Sequence, residues 1–214
     1  MKSKRHTGLA KDRIAIDFYL GLGSRYSYLA ATQIARIEAA HGCAFHWKPL
    51  ASGLLMDRRG ANPFKADEPT SGQYDAAYRA ADARRWAAYY GVPFCEPAGL
   101  PADPSLLPRA CLAADNQGAM VAMCQAIFRA LFADGVRIDV TILGEVARHL
   151  GLDARRFLMM LHEPAIAIRH DRLIDEAIVR GVFGVPTFCL GDQLFWGNDR
   201  MVLLEAALRG TPMR

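Results

Sequence analysis

Ser24, Pro186 and the pair Asn198 and Asp199 are the positions where this sequence sets ligand-holding groups at the ends of strands and the starts of helices. Ser24 follows the loop Gly21-Leu22-Gly23 and precedes RYSYLAA, so its hydroxyl falls at the first turn of a helix that comes directly after a strand. Backbone N–H groups at such a place lack helical partners and favour an anion. A bound thiolate gains from the same features, since a thiol with an ordinary pKa of about 8.5 is brought toward neutrality there. The spacing equally suits a plain N-cap. Pro186, in GVPTF, stands just before a strand. A cis bond at Val185-Pro186 turns the backbone of Val185 outward, where its N–H and C=O can pair with an extended, peptide-like ligand, and a trans proline at a strand's first residue is the alternative. In WGND, residues 196 to 199, Asn198 and Asp199 precede a helix, so one can cap it while the other offers a carboxylate to an ammonium group or to solvent.

The elements that must hold these groups are visible as changes of period. RIAIDFYL places Ile14, Ile16, Phe18 and Leu20 at period two and predicts a strand over 13–20. RYSYLAATQIARIEAAHG has helical spacing and ends at Gly42, and CAFHWKPL predicts a second strand with Phe45 and Trp47 on one face. Residues 51 to about 70 read as a loop rich in Gly, Pro and charge. A long helix ending at Gly91 follows, then a Pro-rich link from Pro93 to Pro108 and further helices to about residue 160. From Pro164 the pattern predicts a helix closed by Gly181, two short strands around a Gly191-Asp192 turn, and a last helix. The expected organisation is a β, α, β half (13–50) and an α, β, β, α half (165–214) flanking a helical insert (51–164), an α/β fold.

At 214 residues the chain suffices for one core with an insertion. The net charge of +4 is matched by five cations in the first thirteen residues, Lys2, Lys4, Arg5, Lys11 and Arg13, which leaves the body near neutral. Neither a clustered basic face nor a nucleic-acid motif is present, so no nucleic-acid partner is expected. No apolar h-region follows the basic start and no apolar run reaches about 18 residues, so a soluble cytoplasmic protein without membrane contact is expected. Cys43, Cys95, Cys111, Cys124 and Cys189 form no CxxC pair and read as buried small hydrophobes in a reducing compartment. The six histidines have no ligand spacing, and no metal is expected.

DFYLGLGSRYSYLA (17–30), RRWAAYYGVPF (84–94) and above all GVFGVPTFCLGDQLFWGNDRM (181–201) resemble the 2-hydroxychromene-2-carboxylate isomerase family, kin of the kappa-class glutathione transferases in the DsbA-like branch of thioredoxin folds. The resemblance implies a thioredoxin-like fold with a large all-helical insertion, glutathione as cofactor, a small aromatic substrate from aromatic catabolism, and a homodimer. Under it, Ser24 matches the serine that holds the glutathione sulfur. Val185 and Pro186 match the residue before the cis-proline and that proline. Trp196, Gly197, Asn198 and Asp199 match the stretch that binds the γ-glutamyl end, and Asn62, in GANPFK, matches an asparagine near the ligand.

The implied activity is a glutathione-dependent isomerisation of an aromatic or unsaturated carboxylate; a kappa-type transferase, or a non-catalytic glutathione- or ligand-binding relative, are the alternatives. Disulfide exchange is disfavoured on chemical grounds, because position 24 carries no thiol. The chain departs from the family where relatives read SPYSY or SPFSY: Gly21-Leu22-Gly23 precede Ser24, and Arg25 stands in place of the proline. Arg25 restores a backbone N–H and adds a cation, which either serves a thiolate or a substrate carboxylate or simply faces solvent. Asp103 stands where the family's substrate region has an asparagine, and Arg109 is retained.

Overall fold

The computed structural model describes residues 13–60, 62–64 and 72–211. The basic start and the middle of the loop before the first long helix lie outside the described residues.

Strand β1 (Ala15–Leu20) is followed by helices α1 (Arg25–Ala31) and α2 (Ile34–His41) and by strand β2 (Ala44–Pro49). Helices α3 (Ser52–Arg58), α4 (Ala76–Tyr90), α5 (Leu106–Asp115), α6 (Met120–Phe132), α7 (Val140–His149) and α8 (Ala154–Leu161) come next. Helix α9 (Pro164–Val179), strands β3 (Thr187–Leu190) and β4 (Gln193–Trp196) and helix α10 (Met201–Leu208) complete the described chain. The sheet order is β2-β1-β3-β4, with β1 parallel to β2 and antiparallel to β3, and β4 antiparallel to β3. This is the thioredoxin-like arrangement with a helical insertion that the family resemblance implied, and its element order follows the β, α, β and α, β, β, α halves read from the residues.

The sheet is covered on both faces. Ile16, Phe18 and Leu20 join Phe45, Trp47 and Phe188 in the larger core, where Phe18 stacks on Phe188 with ring centroids 5.0 Å apart and meets Trp47 edge-on at 5.2 Å. Tyr19 and Cys189, on the opposite face, pack with Leu55, Leu173, Ile174 and Ala177. Period two therefore identified only one of the two buried faces of β1.

Two elements differ from the sequence expectation. The single helix expected after Ser24 is broken at Thr32-Gln33, where the Thr32 hydroxyl donates to the Leu29 carbonyl at 2.6 Å and competes with the helical ladder. The expected loop after residue 51 begins with α3, a short helix held by tertiary contacts. Leu55 is buried under α9, and Arg58 bonds Asp171 and Asp175 of that helix at 2.5 and 2.9 Å. Propensity alone is a weak guide to so short a segment.

An aromatic cluster fastens the insert onto α1. Tyr28 stacks on Phe132 at 5.5 Å and lies 6.1 Å from Phe128, while Phe94 stacks on Phe132 at 6.2 Å. The Tyr28 hydroxyl donates to the Pro93 carbonyl at 2.6 Å. Burial of such rings is worth several kcal/mol in all, and it fixes the helix that carries Ser24 against α6. All five cysteines are free and all but Cys95 are buried. Among the described residues, no helix is long and apolar enough to cross a membrane.

Candidate functional site

Ser24 caps α1. It has extended backbone angles (φ −97°, ψ 116°), and its Oγ accepts the Ser27 N–H at 3.2 Å. The loop before it is stapled: the Ser24 N–H donates to the Gly21 carbonyl at 3.0 Å, and the Gly21 N–H donates to Oγ of buried Ser27 at 3.2 Å. The Ser24 hydroxyl spends a lone pair on the cap, and its hydrogen finds no acceptor among the described residues. It can therefore donate to an anion without giving up the cap.

The Val185-Pro186 bond is cis, which resolves the alternatives left open by the sequence. A Cβ placed on Gly21 would lie 3.0 Å from Cγ2 of Val185 and 3.2 Å from Oγ of Ser52, so a side chain at 21 would force the Ser24 loop and the proline loop apart. The loop behind Val185 is pinned by the Thr187 hydroxyl, which donates to the Gly184 carbonyl at 2.7 Å, and by the Gly197 N–H, which donates to the Pro186 carbonyl at 2.9 Å. Neither the N–H nor the C=O of Val185 pairs with another described residue. An unpaired strand edge of this kind receives an extended peptide by main-chain hydrogen bonds.

The Gly197 bond carries the WGND stretch onto the same loop. Trp196 is 41% exposed and packs on Phe183 at 5.1 Å. Gly197 has φ +104°, which disfavours any side chain, and a Cβ there would fall 2.4 Å from Oδ1 of Asp199. Asn198 is only 3% exposed, yet its Nδ2 has no hydrogen-bond partner. Asn198 and Asp199 open into a cleft of about 950 Å³ bounded also by Trp86, Tyr90 and Arg36. Asp199 is exposed and ion-paired with Arg200. In the cleft wall, Arg36 forks onto Glu205 at 2.6 and 3.1 Å and holds that carboxyl below its usual range.

Ser24, Val185, Pro186, Trp196, Gly197, Asn198 and Asp199 thus lie on linked loops. Asn62 does not reach Ser24 through any contact among the described residues: its Nδ2 donates to Asp57 at 2.8 Å and its Oδ1 accepts the Phe64 N–H at 3.0 Å, within its own loop. Arg25 is not a solvent-facing arginine. Its side chain is 20% exposed and pairs with Glu96 at 3.2 Å. Asp103 bonds Ser105 and holds Arg109 at 2.6 Å; burial opposes its charge, but these partners keep the carboxyl below its usual pKa.

Sequence reasoning missed Ser27, Glu96 and Arg79. Arg79 of α4 lies 4.7 Å from the Phe64 ring and 5.9 Å from the Tyr26 ring. Burial, helped by a 2.9 Å hydrogen bond to Asp82, pushes the Tyr26 hydroxyl up to about 12. No local pattern marks Glu96 or Arg79, because tertiary packing brings them to their partners. Ser27 alone had a signal, being a second hydroxyl one turn into a helix that Ser24 caps.

The fold and these loops define a DsbA-like thioredoxin domain, and a family model of that description matches residues 15–209. The chain is 31% identical to the 2-hydroxychromene-2-carboxylate isomerase of Pseudomonas putida over 90% of its length and 93% of that protein. It is 30% identical to the enzyme of the same name from Pseudomonas sp. strain C18, over 94% of this chain and 92% of that one. A solved 2-hydroxychromene-2-carboxylate isomerase superposes with a TM-score of 0.79 at 27% identity, covering 92% of this chain and 95% of the other. The chain belongs to the 2-hydroxychromene-2-carboxylate isomerase family, within the DsbA-like thioredoxin domains.

Proposed function

We propose that this protein is a glutathione-dependent isomerase of an aromatic or unsaturated carboxylate. The observation that carries the reading is the meeting of Ser24, whose hydroxyl hydrogen is unspent, with the unpaired backbone of Val185 across Gly21. The names of the relatives support the reaction class.

The residues present fit glutathione: Val185 offers an N–H and a C=O to a peptide backbone, Asp199 a carboxylate to an ammonium group, and Asn198 an orphaned amide to a carboxylate. Bound glutathione would supply a thiolate that adds to the unsaturated substrate and is expelled after rotation about the former double bond, so that it emerges unconsumed. Ser24 needs no deprotonation for this. Its hydroxyl donates to the sulfur anion and, by stabilising charge, keeps the thiol ionised near neutral pH. Asp199 exchanges its bond to the neighbouring Arg200 for one to the ammonium, a swap between two exposed partners that costs little.

Calorimetric titration with glutathione tests the cofactor reading. Binding by the unaltered protein is expected, weakened about tenfold in Asp199→Ala. Undetectable binding to the unaltered protein would remove the reading while leaving the fold in place.

A further inference from the structure

His170 of α9 is 2% exposed, and its Nε2 accepts the Ala51 N–H at 3.1 Å. A ring nitrogen accepts only in neutral imidazole, so the proton sits on Nδ1. Ala51 is the residue before α3 and makes no side-chain cap bond to that helix. The next residue, Ser52, reaches the candidate site: its Oγ and Cγ2 of Val185 lie 3.2 and 3.0 Å from where a Cβ on Gly21 would stand. The Gly21 carbonyl in turn accepts the Ser24 N–H at 3.0 Å. One buried imidazole thus stands behind the junction at which the Ser24 loop meets Val185. The far end of α3 is fastened separately, by Arg58 to Asp171 and Asp175.

Charging this imidazole turns its acceptor into a second donor. Two N–H groups would then face each other across 3.1 Å in a buried place, and one of them has to move. The charged groups around the ring offer the cation no free partner. Arg58 comes from α3 and Asp171 from α9 itself, and these two bond each other. Asp103 comes from the link before α5 and is already engaged by Ser105 and Arg109. Arg109, on α5, repels the charge, and its own buried Nε lacks a hydrogen-bond partner. Burial first, and then the two arginines, hold the histidine below its ordinary pKa of about 6.5, while Asp171 and Asp103 offset part of this.

We infer that His170 is a positioning residue: its neutral imidazole seats the start of α3 against Gly21 and Val185, and its protonation releases that side of the candidate site. The Arg58 fork keeps the far end of α3 in place, so acid loosens the junction without unfolding the helix's attachment to α9. The seated state holds above the folded pKa of His170 and is lost as the pH falls through it. That the released site binds glutathione less well rests on the glutathione reading; the movement of the junction does not.

The test follows the backbone amides of the protein without glutathione by NMR, from about pH 8 to about pH 5. Those of Ser52, Gly21 and Val185 should move together with the midpoint of the His170 ring, below about pH 6.5. Calorimetry should show glutathione affinity falling about tenfold across the same midpoint, the scale of one buried donor left unpaired. By reciprocity, saturating glutathione should then lower the His170 midpoint by about one pH unit. His170→Leu, which has no acceptor, should weaken glutathione binding over the whole range. His170→Gln, which offers a neutral acceptor and does not titrate, should recover most of that loss and show no acid step. Gly21 and Val185 amides that ignore the His170 midpoint, or an acid step that persists in His170→Gln, overturn the inference. Amides that follow His170 in a protein that takes no glutathione would keep the inference and remove only the cofactor reading; glutathione binding that is indifferent to His170 would do the reverse.

Discussion

Replacing Ser24 by alanine removes both the cap bond its hydroxyl makes and the sulfur contact proposed for it. The cap bond to the Ser27 N–H is 3.2 Å long and half-exposed, so its loss should cost about 1 kcal/mol of stability, which for a chain of this size lowers Tm by about 2–4 °C. The proposed bond to a sulfur anion would be charge-assisted and worth about 1.5–3 kcal/mol. At 1.36 kcal/mol per pKa unit, its loss should raise the pKa of bound glutathione's thiol by about 1–2 units. The assay is the ultraviolet absorbance of the thiolate, titrated in the complex at saturating glutathione, with Ser24→Thr as the variant that keeps a hydroxyl. Threonine should restore most of the effect. A bound thiol that titrates at the same pH in the alanine variant and the unaltered protein would refute the role given to Ser24, however much the melting temperature moved.

Other substitutions probe the loops around it. Gly197→Ala introduces a side chain at φ +104° and a Cβ 2.4 Å from the Asp199 carboxylate, so it should cost about 1–3 kcal/mol in thermal unfolding and weaken glutathione binding by displacing Asp199. Gly21→Val drives a branched side chain against Val185 and Ser52 and should cost about 1–3 kcal/mol while parting the two halves of the site, read as lost stability together with lost ligand affinity. His170 is 2% exposed, accepts the Ala51 N–H at 3.1 Å, and has its pKa lowered by burial. Its folded pKa lies below the unfolded value, so the unfolded chain takes up the proton first as the pH falls. Stability should therefore decline below about pH 6.5 and level off once the pH passes the folded pKa. Urea titrations of the unaltered protein and of His170→Gln across this range measure the difference, which should be smaller in the variant.

Much of the scaffold was legible because its signals are local. The alternation in AIDFYL, Gly42 and Gly91 as left-handed helix ends, Pro164 at the first turn of α9 and the Gly191-Asp192 turn each mark an element within a few residues. Helix α3 was not legible as an element, because its stability comes from Leu55 and Arg58 meeting α9 more than a hundred residues later. The break at Thr32 was hidden for a different reason, since a threonine that suits a helix sterically also carries the hydroxyl that interrupts it. Within the candidate site, the cap at Ser24 and the proline just before β3 were readable from their positions beside strands. The burial of Arg25 was not, because Glu96 and Arg79 come from elsewhere in the chain and only packing brings them to it.

The most direct measurement of the central claim is NMR observation of 2-hydroxychromene-2-carboxylate incubated with the protein and a trace of glutathione. The account predicts isomerisation that requires glutathione, turns over many times per glutathione molecule and leaves glutathione unchanged. Isomerisation at the same rate without glutathione, or a stoichiometric glutathione adduct as the sole product, would contradict it.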